Sequence, residues 1–418
     1  MKKNKLSTTD FVIKETIDAI RTHDMVGARK KPEKSDKSSK AKAKPKPKAK
    51  AKAKAKAKKT PPPVIAMVSG GSDSTALVYI LHELHKRGIV GPVALFHLNH
   101  RLRGADAYKD ENFVIALAEK LKMPYYTTRL SIAKIAEDTN SNVEATGRRH
   151  RYFEADRMLR AFCKDFNLNE DQARIFTAHT LDDRVENFYM RSIVGTGPGG
   201  FRSMLYKNGK IYRPLLNLTR EKLREFIEER KKSEAVVALN ETGDLWCEDA
   251  TNATADRFRT FVRNEIVPLA KQKNPDLLHT LGRTMNLIAC EDDYMQGLAK
   301  KCLSKTCLYL RSPDFKLQLD EGALIAPEFG IFDKAVQSRV CKMILEHILL
   351  TEKRIENASI EKILAAFSPT GKIISGYTNN IQGNLAISAN KEGVRIEPMK
   401  RYRSRRKGGY IIPFKDAK

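Results

Sequence analysis

The chain has 418 residues, 41% of them apolar, and a formal net charge of +27. That length and apolar fraction exclude a wholly disordered polymer and allow two or three domains with cores of their own. No run of 18 apolar residues occurs and the six cysteines include no C-x-x-C pair, so the sequence reads as a protein with free thiols in a reducing cytoplasm, neither membrane-spanning nor built on disulfides.

Residues 1–27 form an extension in which Phe11, Ile13, Ile17 and Ile20 fall near one face of a short amphipathic helix over 10–26. Its role is not written in the sequence. Residues 28–63 follow as Lys-Ala-Pro repeats closing on Pro61, Pro62 and Pro63, a composition with almost nothing to bury, which predicts a disordered tether. Residues 29–59 hold 15 Lys and one Arg against Glu33 and Asp36, so they carry +14 and the rest of the chain +13. Basicity in both parts favours a polyanionic partner, nucleic acid first; a solubilising linker and a lysine-rich surface are the blander alternative.

Next, Val64 to Val68 reads as a strand and breaks at once into Ser69-Gly70-Gly71-Ser72-Asp73-Ser74. Ala76, Leu77, Ile80, Leu81 and Leu84 then repeat at helical spacing. A small-residue turn between strand and helix is the layout of a phosphate cradle, because unpaired N–H groups face outward where a helix begins. Glycine lets backbone approach an oxyanion, the serines add neutral donors, and Asp73 suits a magnesium ion. No lysine follows the second glycine and the G-x-G-x-x-G spacing is missing, which excludes the lysine-bearing nucleotide loop and the dinucleotide fingerprint. A tight turn with no ligand is the competing reading.

Further strand-length runs at Val93–Leu98, Tyr125–Leu130 and Ile175–Ala178 alternate with helical patterns such as Glu111–Leu121 and Arg151–Phe162. The alternation predicts an α/β domain over 64–254, a doubly wound parallel sheet with ligands beyond the strands' carboxyl ends. Polar groups gather at those ends. One strand closes in His97, Asn99, His100, Arg101 and Arg103; Glu144, Arg148 and Arg151 share a helix face; another strand closes in His179, Asp182, Asp183 and Glu186. Asp182 and Glu186, four apart, face the same way on a helix and could hold magnesium, bind an ammonium or take a proton, or merely complement the helix dipole. Gly195–Gly200, Arg213–Leu216 and Trp246–Asn252 follow. From 255 to 400 the pattern is mostly helical, through Arg257–Leu303 and Lys334–Leu350, with a short β-like close at Lys372–Tyr377 and Leu385–Ala389, before a basic tail over 401–418.

In this order, Ser69 to Ser74, His97 to Arg103, Glu144 with Arg148 and Arg151-Tyr152, His179 with Asp182-Asp183 and Glu186, Arg213 to Leu216, and Glu248-Asp249 with Asn252 resemble the tRNA(Ile)-lysidine synthase family of PP-loop ATP pyrophosphatases. The resemblance runs from about residue 64 to Pro275. It implies an adenine nucleotide alpha hydrolase-like fold followed by a smaller helical domain that grips tRNA. It also implies a ligase that uses ATP and magnesium to join free L-lysine to carbon-2 of the wobble cytidine in a tRNA(Ile) with a CAU anticodon, releasing AMP and pyrophosphate. By the same resemblance Ser69, Gly70, Gly71, Ser72 and Ser74 hold pyrophosphate, and Asp73 and Asp182 take the metal. Arg148 steadies the α-phosphate, Asp182 and Glu186 serve lysine, and His97, Asn99, His100, Arg101, Arg103 and His179 line the nucleotide. Asn187 and Val194 depart from the threonine and arginine of the family, which removes or replaces an RNA or phosphate contact. A PP-loop sulfur-transferase and a non-catalytic RNA-binding module are the rivals. Oligomeric state stays open, a homodimer being one option.

Overall fold

The computed structural model describes residues 6–27, 60–102, 105–248, 257–311, 320–349 and 354–408. Nearly all of the tether, together with Arg103, Asp249 to Asn252 and the end of the basic tail, therefore lies outside the described residues. The chain divides into two compact units, Met1–Asn286 and Leu287–Lys418. Residues 257–286 belong to the first, so that unit extends past the change of pattern near residue 255.

In chain order the first unit holds α1 (Thr8–Thr22), β1 (Val64–Met67), α2 (Ser72–Lys86), β2 (Val93–Asn99), α3 (Ala105–Leu121), β3 (Tyr125–Arg129), α4 (Ile132–Asp138) and α5 (Val143–Asp165). There follow β4 (Arg174–Phe176), α6 (Leu181–Val194), α7 (Pro198–Phe201), β5 (Lys207–Asn208), β6 (Ile211–Tyr212), α8 (Arg220–Lys232), α9 (Arg257–Phe261), a π turn (Val262–Ile266) and α10 (Val267–Lys273). The helix α11 (Leu277–Thr306) contains the division between the units.

Six strands form one sheet in the order β3-β2-β1-β4-β6-β5, parallel except for β5. Alternation along β1 shows why both faces must be covered: Val64, Ala66 and Val68 enter the core shared with α1, α2 and α8, while Ile65 enters the one built on α5. Strand order reverses between β2-β1 and β4, and a crevice forms at the carboxyl ends where the connections diverge to opposite sides. Both predicted motif groups, after β1 and after β4, start there. The doubly wound parallel sheet expected from the alternation is the fold observed.

The amino-terminal helix is part of this unit. Ser7 caps it by accepting the Asp10 N–H, and Val12, Ile13 and Ile20, with Met25 beyond its end, are buried in the core that holds α2 and α8. Thr9 N–H donates to Glu229 of α8 at 2.9 Å, and His23 stacks on Tyr206 at 3.6 Å.

The second unit continues with β7 (Cys307–Arg311), β8 (Asp320–Ile325), α12 (Lys334–Leu349), α13 (Asn357–Leu364), β9 (Thr378–Ile381), β10 (Leu385–Asn390), β11 (Gly393–Pro398) and α14 (Met399–Arg406). Beside its helices stands a five-stranded antiparallel sheet, ordered β7-β8-β11-β10-β9, of which the sequence pattern revealed chiefly β10. The basic run after Pro398 is helical through Arg406, and Arg405 binds the buried Glu397 at 2.6 Å and Ser388 at 2.9 Å.

Candidate active site

The turn after β1 is held by its own small residues. Gly70 has φ of +95°, a conformation that side chains rarely adopt. Ser74 Oγ accepts the Ser69 N–H at 3.2 Å and donates to the Gly71 carbonyl at 3.0 Å, pulling the turn onto the first turn of α2. The Cys247 N–H donates to the Gly70 carbonyl at 3.0 Å, so the segment around Trp246 lies against the turn. The result is a ring of backbone and hydroxyl groups at a helix N-terminus, with Asp73 in its first turn.

The polar tip of β2 supports this turn from below. His97 is buried, and its Nδ1–H donates to the Val68 carbonyl at 2.9 Å, while burial holds its pKa below the ordinary imidazole value. Asn99 is buried as well. Its amide donates to the Ala107 carbonyl at 3.0 Å and to Glu111 at 2.9 Å, and its oxygen accepts the Arg101 N–H, bracing a residue at φ +52°. Asn99 and the Nδ1 of His97 thus bond to the scaffold, whereas His100 and Arg101 lie farther out, His100 accepting from Arg151 at 3.2 Å. Arg148 on α5 is exposed and stacks over Tyr152, 5.3 Å from the ring centre.

Beyond β4, Thr180 and Asp183 form a capping box at the start of α6, which fixes the two aspartates at its mouth. Asp73 meets them through one residue of α8: Arg220 Nε donates to Asp73 at 3.1 Å, its Nη2 lies 3.6 Å from Asp183, and its backbone N–H donates to Asp182 at 2.8 Å. Arg259 contacts Asp183 at 3.0 Å and Glu186 at 2.8 Å, and Arg263, inside the π turn, donates to Glu186 at 2.6 Å and 3.0 Å. Such turns recur at functional sites. Glu186 is 2% exposed and enclosed by two guanidinium groups, while Asp182 opens onto a cavity of about 410 Å³ that it shares with Arg220, Glu221, Arg224, Glu225 and Glu228. The two acids expected to serve one ligand therefore face different surroundings.

Burial pushes the Asp73 carboxyl above its ordinary value, and the carboxylates of Asp183 and Asp182 add to this against the pull of Arg220. Burial also lowers the imidazole pKa of His179, helped by Arg213, Arg148 and Arg259 against Asp183, so the ring is neutral at pH 7. Despite its burial, Asp183 is held below the ordinary carboxylate range by His179, Arg259 and Arg220. The set fits magnesium through the hard oxygens of Asp73 and Asp182. Among the described residues no three acidic, His or Cys side chains converge as a metal cage, so phosphate oxygens and water would complete the shell. Arg220, Arg224, Arg259 and Arg263 were not singled out from the sequence. The signal available was their spacing of four, on α8 and across the end of α9.

A model of the PP-loop domain family matches residues 45–270, more than half of the chain. The chain belongs to the PP-loop ATP-binding family. Among curated relatives, this PP-loop protein is 29% identical over 322 residues to the tRNA(Ile)-lysidine synthase of Clostridium acetobutylicum, covering 76% of the chain and 63% of the relative. It is 34% identical over 240 residues to the enzyme of that name from Thermus thermophilus, covering 57% and 41%. The chain thus spans between two fifths and two thirds of the length of these relatives. A solved structure, the U34-tRNA thiolase NcsA from Methanococcus maripaludis, overlaps 67% of the chain and 80% of its own at a TM-score of 0.42 and 16% identity. No helix among the described residues is long and apolar enough to cross a membrane.

Proposed function

We propose that this PP-loop protein is a tRNA(Ile)-lysidine synthase, joining free lysine to carbon-2 of the wobble cytidine of a CAU anticodon. The observation that supports it most is the meeting of Asp73, Asp182 and Asp183 around Arg220 beside a phosphate turn that holds only neutral donors. ATP is first split between its α and β phosphates, the oxygen on carbon-2 taking the adenylyl group while pyrophosphate leaves. The lysine amine then attacks carbon-2, and AMP departs with that oxygen. Magnesium on Asp73 and Asp182 would neutralise phosphate charge. Ser69 to Ser74 bind the leaving pyrophosphate, and Arg148, an exposed cation of α5 whose charge is felt at His179, meets charge on the α-phosphate. Asp182, open to the cavity, orients the incoming ammonium and receives its proton, and Glu186 acts at one remove by fixing Arg259 and Arg263. A target base in an anticodon loop is unstacked at small cost. Basic side chains of α14, Lys400, Arg401 and Arg403 among them, supply attraction for a phosphate backbone.

Purified protein incubated with labelled lysine, ATP and an unmodified tRNA(Ile) should incorporate lysine with one AMP released per lysine. Binding of tRNA without ATP turnover would sink the proposal. Asp73→Ala should abolish AMP release while tRNA affinity stays within about twofold, because one acid contributes little to backbone attraction.

A further inference from the structure

The phosphate turn has no lysine, yet pyrophosphate leaves as a polyanion and needs positive charge where it forms. Two arginines that no motif assigned reach the turn from one side. Arg220 and Arg224 stand one turn apart at the start of α8, a helix begun by Thr219, whose hydroxyl accepts the Lys222 N–H. Arg220 Nε donates to Asp73, and Arg224 Nε donates to Ser72 Oγ at 3.4 Å, so both touch residues of the cradle itself. Their other contacts are long and single: Arg220 to Asp183 at 3.6 Å and Arg224 to Glu248 at 3.6 Å, with the Arg224 guanidinium 5.5 Å above the Trp246 ring. None of these is the paired, two-point carboxylate contact that would commit a guanidinium to a structural role. Both side chains also border the cavity of about 410 Å³ that Asp182 opens onto.

We infer that Arg220 and Arg224 are the cations of the pyrophosphate subsite, taking the place of the lysine that other nucleotide loops carry within the turn. This rests on reading Ser69 to Ser74 as the cradle of the proposed reaction. When the β and γ phosphates enter, Arg220 exchanges Asp73 for phosphate oxygen and Arg224 exchanges Glu248 for it. The freed Asp73 would then be available to hold magnesium. Asp182, Glu221, Glu225 and Glu228 line the same cavity, where the lysine ammonium is proposed to meet Asp182, so the competing assignment is that the two arginines serve the lysine half of the site alone. The phosphate assignment is favoured because the guanidinium groups touch the cradle, and Glu225 is paired with Lys222.

The test is binding of inorganic pyrophosphate, AMP and lysine to the full-length protein by calorimetry, without tRNA. Arg224→Ala should weaken pyrophosphate at least about tenfold and leave AMP within about twofold, the loss of one charge-assisted contact pair. Arg224→Lys should fall between the two, and Arg220→Gln should lose pyrophosphate affinity in the same way. Unchanged pyrophosphate affinity in Arg224→Ala would overturn the assignment. So would equal losses for AMP and pyrophosphate, or a loss confined to lysine. Because no tRNA is present, failure of lysine transfer in the assay above leaves this result readable by itself.

Discussion

Glu186→Gln distinguishes a buried anchor from a reacting acid. In the folded protein Glu186 Oε1 accepts Arg263 Nε, and Oε2 accepts Arg259 Nε and Arg263 Nη2, at 2.6, 2.8 and 3.0 Å. Glutamine keeps one oxygen and turns an NH₂ group against a guanidinium, so at least one bond becomes a donor facing a donor. Breaking a fully buried pair costs about 3–5 kcal/mol; the two arginine side chains stay 31% and 29% exposed and recover some hydration, which brings the expected loss to about 2–3 kcal/mol. For a unit of this size that is a drop in Tm of roughly 5–10 °C. Trp246 is the single tryptophan and lies in the first unit, so its fluorescence during heating follows that unit alone. Adding Arg263→Gln to Glu186→Gln should return part of the loss, since the surplus guanidinium goes with it. A Glu186→Gln protein that melts like the wild type but has lost AMP release would refute the anchor and place Glu186 in the chemistry.

Two further outcomes follow from the same geometry. His179 has a folded pKa below its unfolded value of 6.5, so on acidification the unfolded chain takes up a proton first. Stability of the first unit should therefore fall as pH drops below about 6.5, and His179→Gln should show a shallower decline in Tm between pH 7 and 5. A parallel decline in both proteins would remove His179 as the cause. Ile20→Ala opens a fully buried position of α1 and should cost about 2–4 kcal/mol by urea titration followed through Trp246; a loss below about 0.5 kcal/mol would mean that α1 is dispensable to the unit.

What could be read in the sequence was what short range determines. The cradle was legible because the apolar run of β1, the glycines of the turn and the helical period of α2 are consecutive, and each agrees with the next. The doubly wound class followed from the alternation of strands and helices, and with it the convergence of the β1 and β4 ends. A spacing of four puts Asp182 and Glu186 on the same helix, α6, but periodicity says nothing about what covers each of them. The covering groups, Arg259 and Arg263, stand 73 and 77 residues from Glu186. Arg220 is 147 residues from Asp73, and no local pattern links them. Likewise β8 pairs with β11 across a long separation in sequence, and no local pattern announces that pairing.

The four site residues that the sequence did not single out, Arg220, Arg224, Arg259 and Arg263, are all arginines, and this has a physical reason. Acids at strand ends and helix N-termini advertise themselves, since the fold constrains them locally through caps such as the Thr180–Asp183 box. Arginine has a long, flexible side chain and reaches its partner from a distant element, so in a chain of charge +27 a working guanidinium looks like any solvated one. Here the partners come from α8, α9 and the π turn, all outside the strand-end motifs. Helix α1 packs against α8, the element that carries Arg220 and Arg224 to the cradle, through the Thr9 to Glu229 contact and a shared core. The amino-terminal extension thus bears on the placement of α8: if Arg220 and Arg224 bind pyrophosphate as proposed, loosening α1 by Ile20→Ala should weaken pyrophosphate binding in calorimetry before the fold is lost, and unchanged affinity in that variant would uncouple the two.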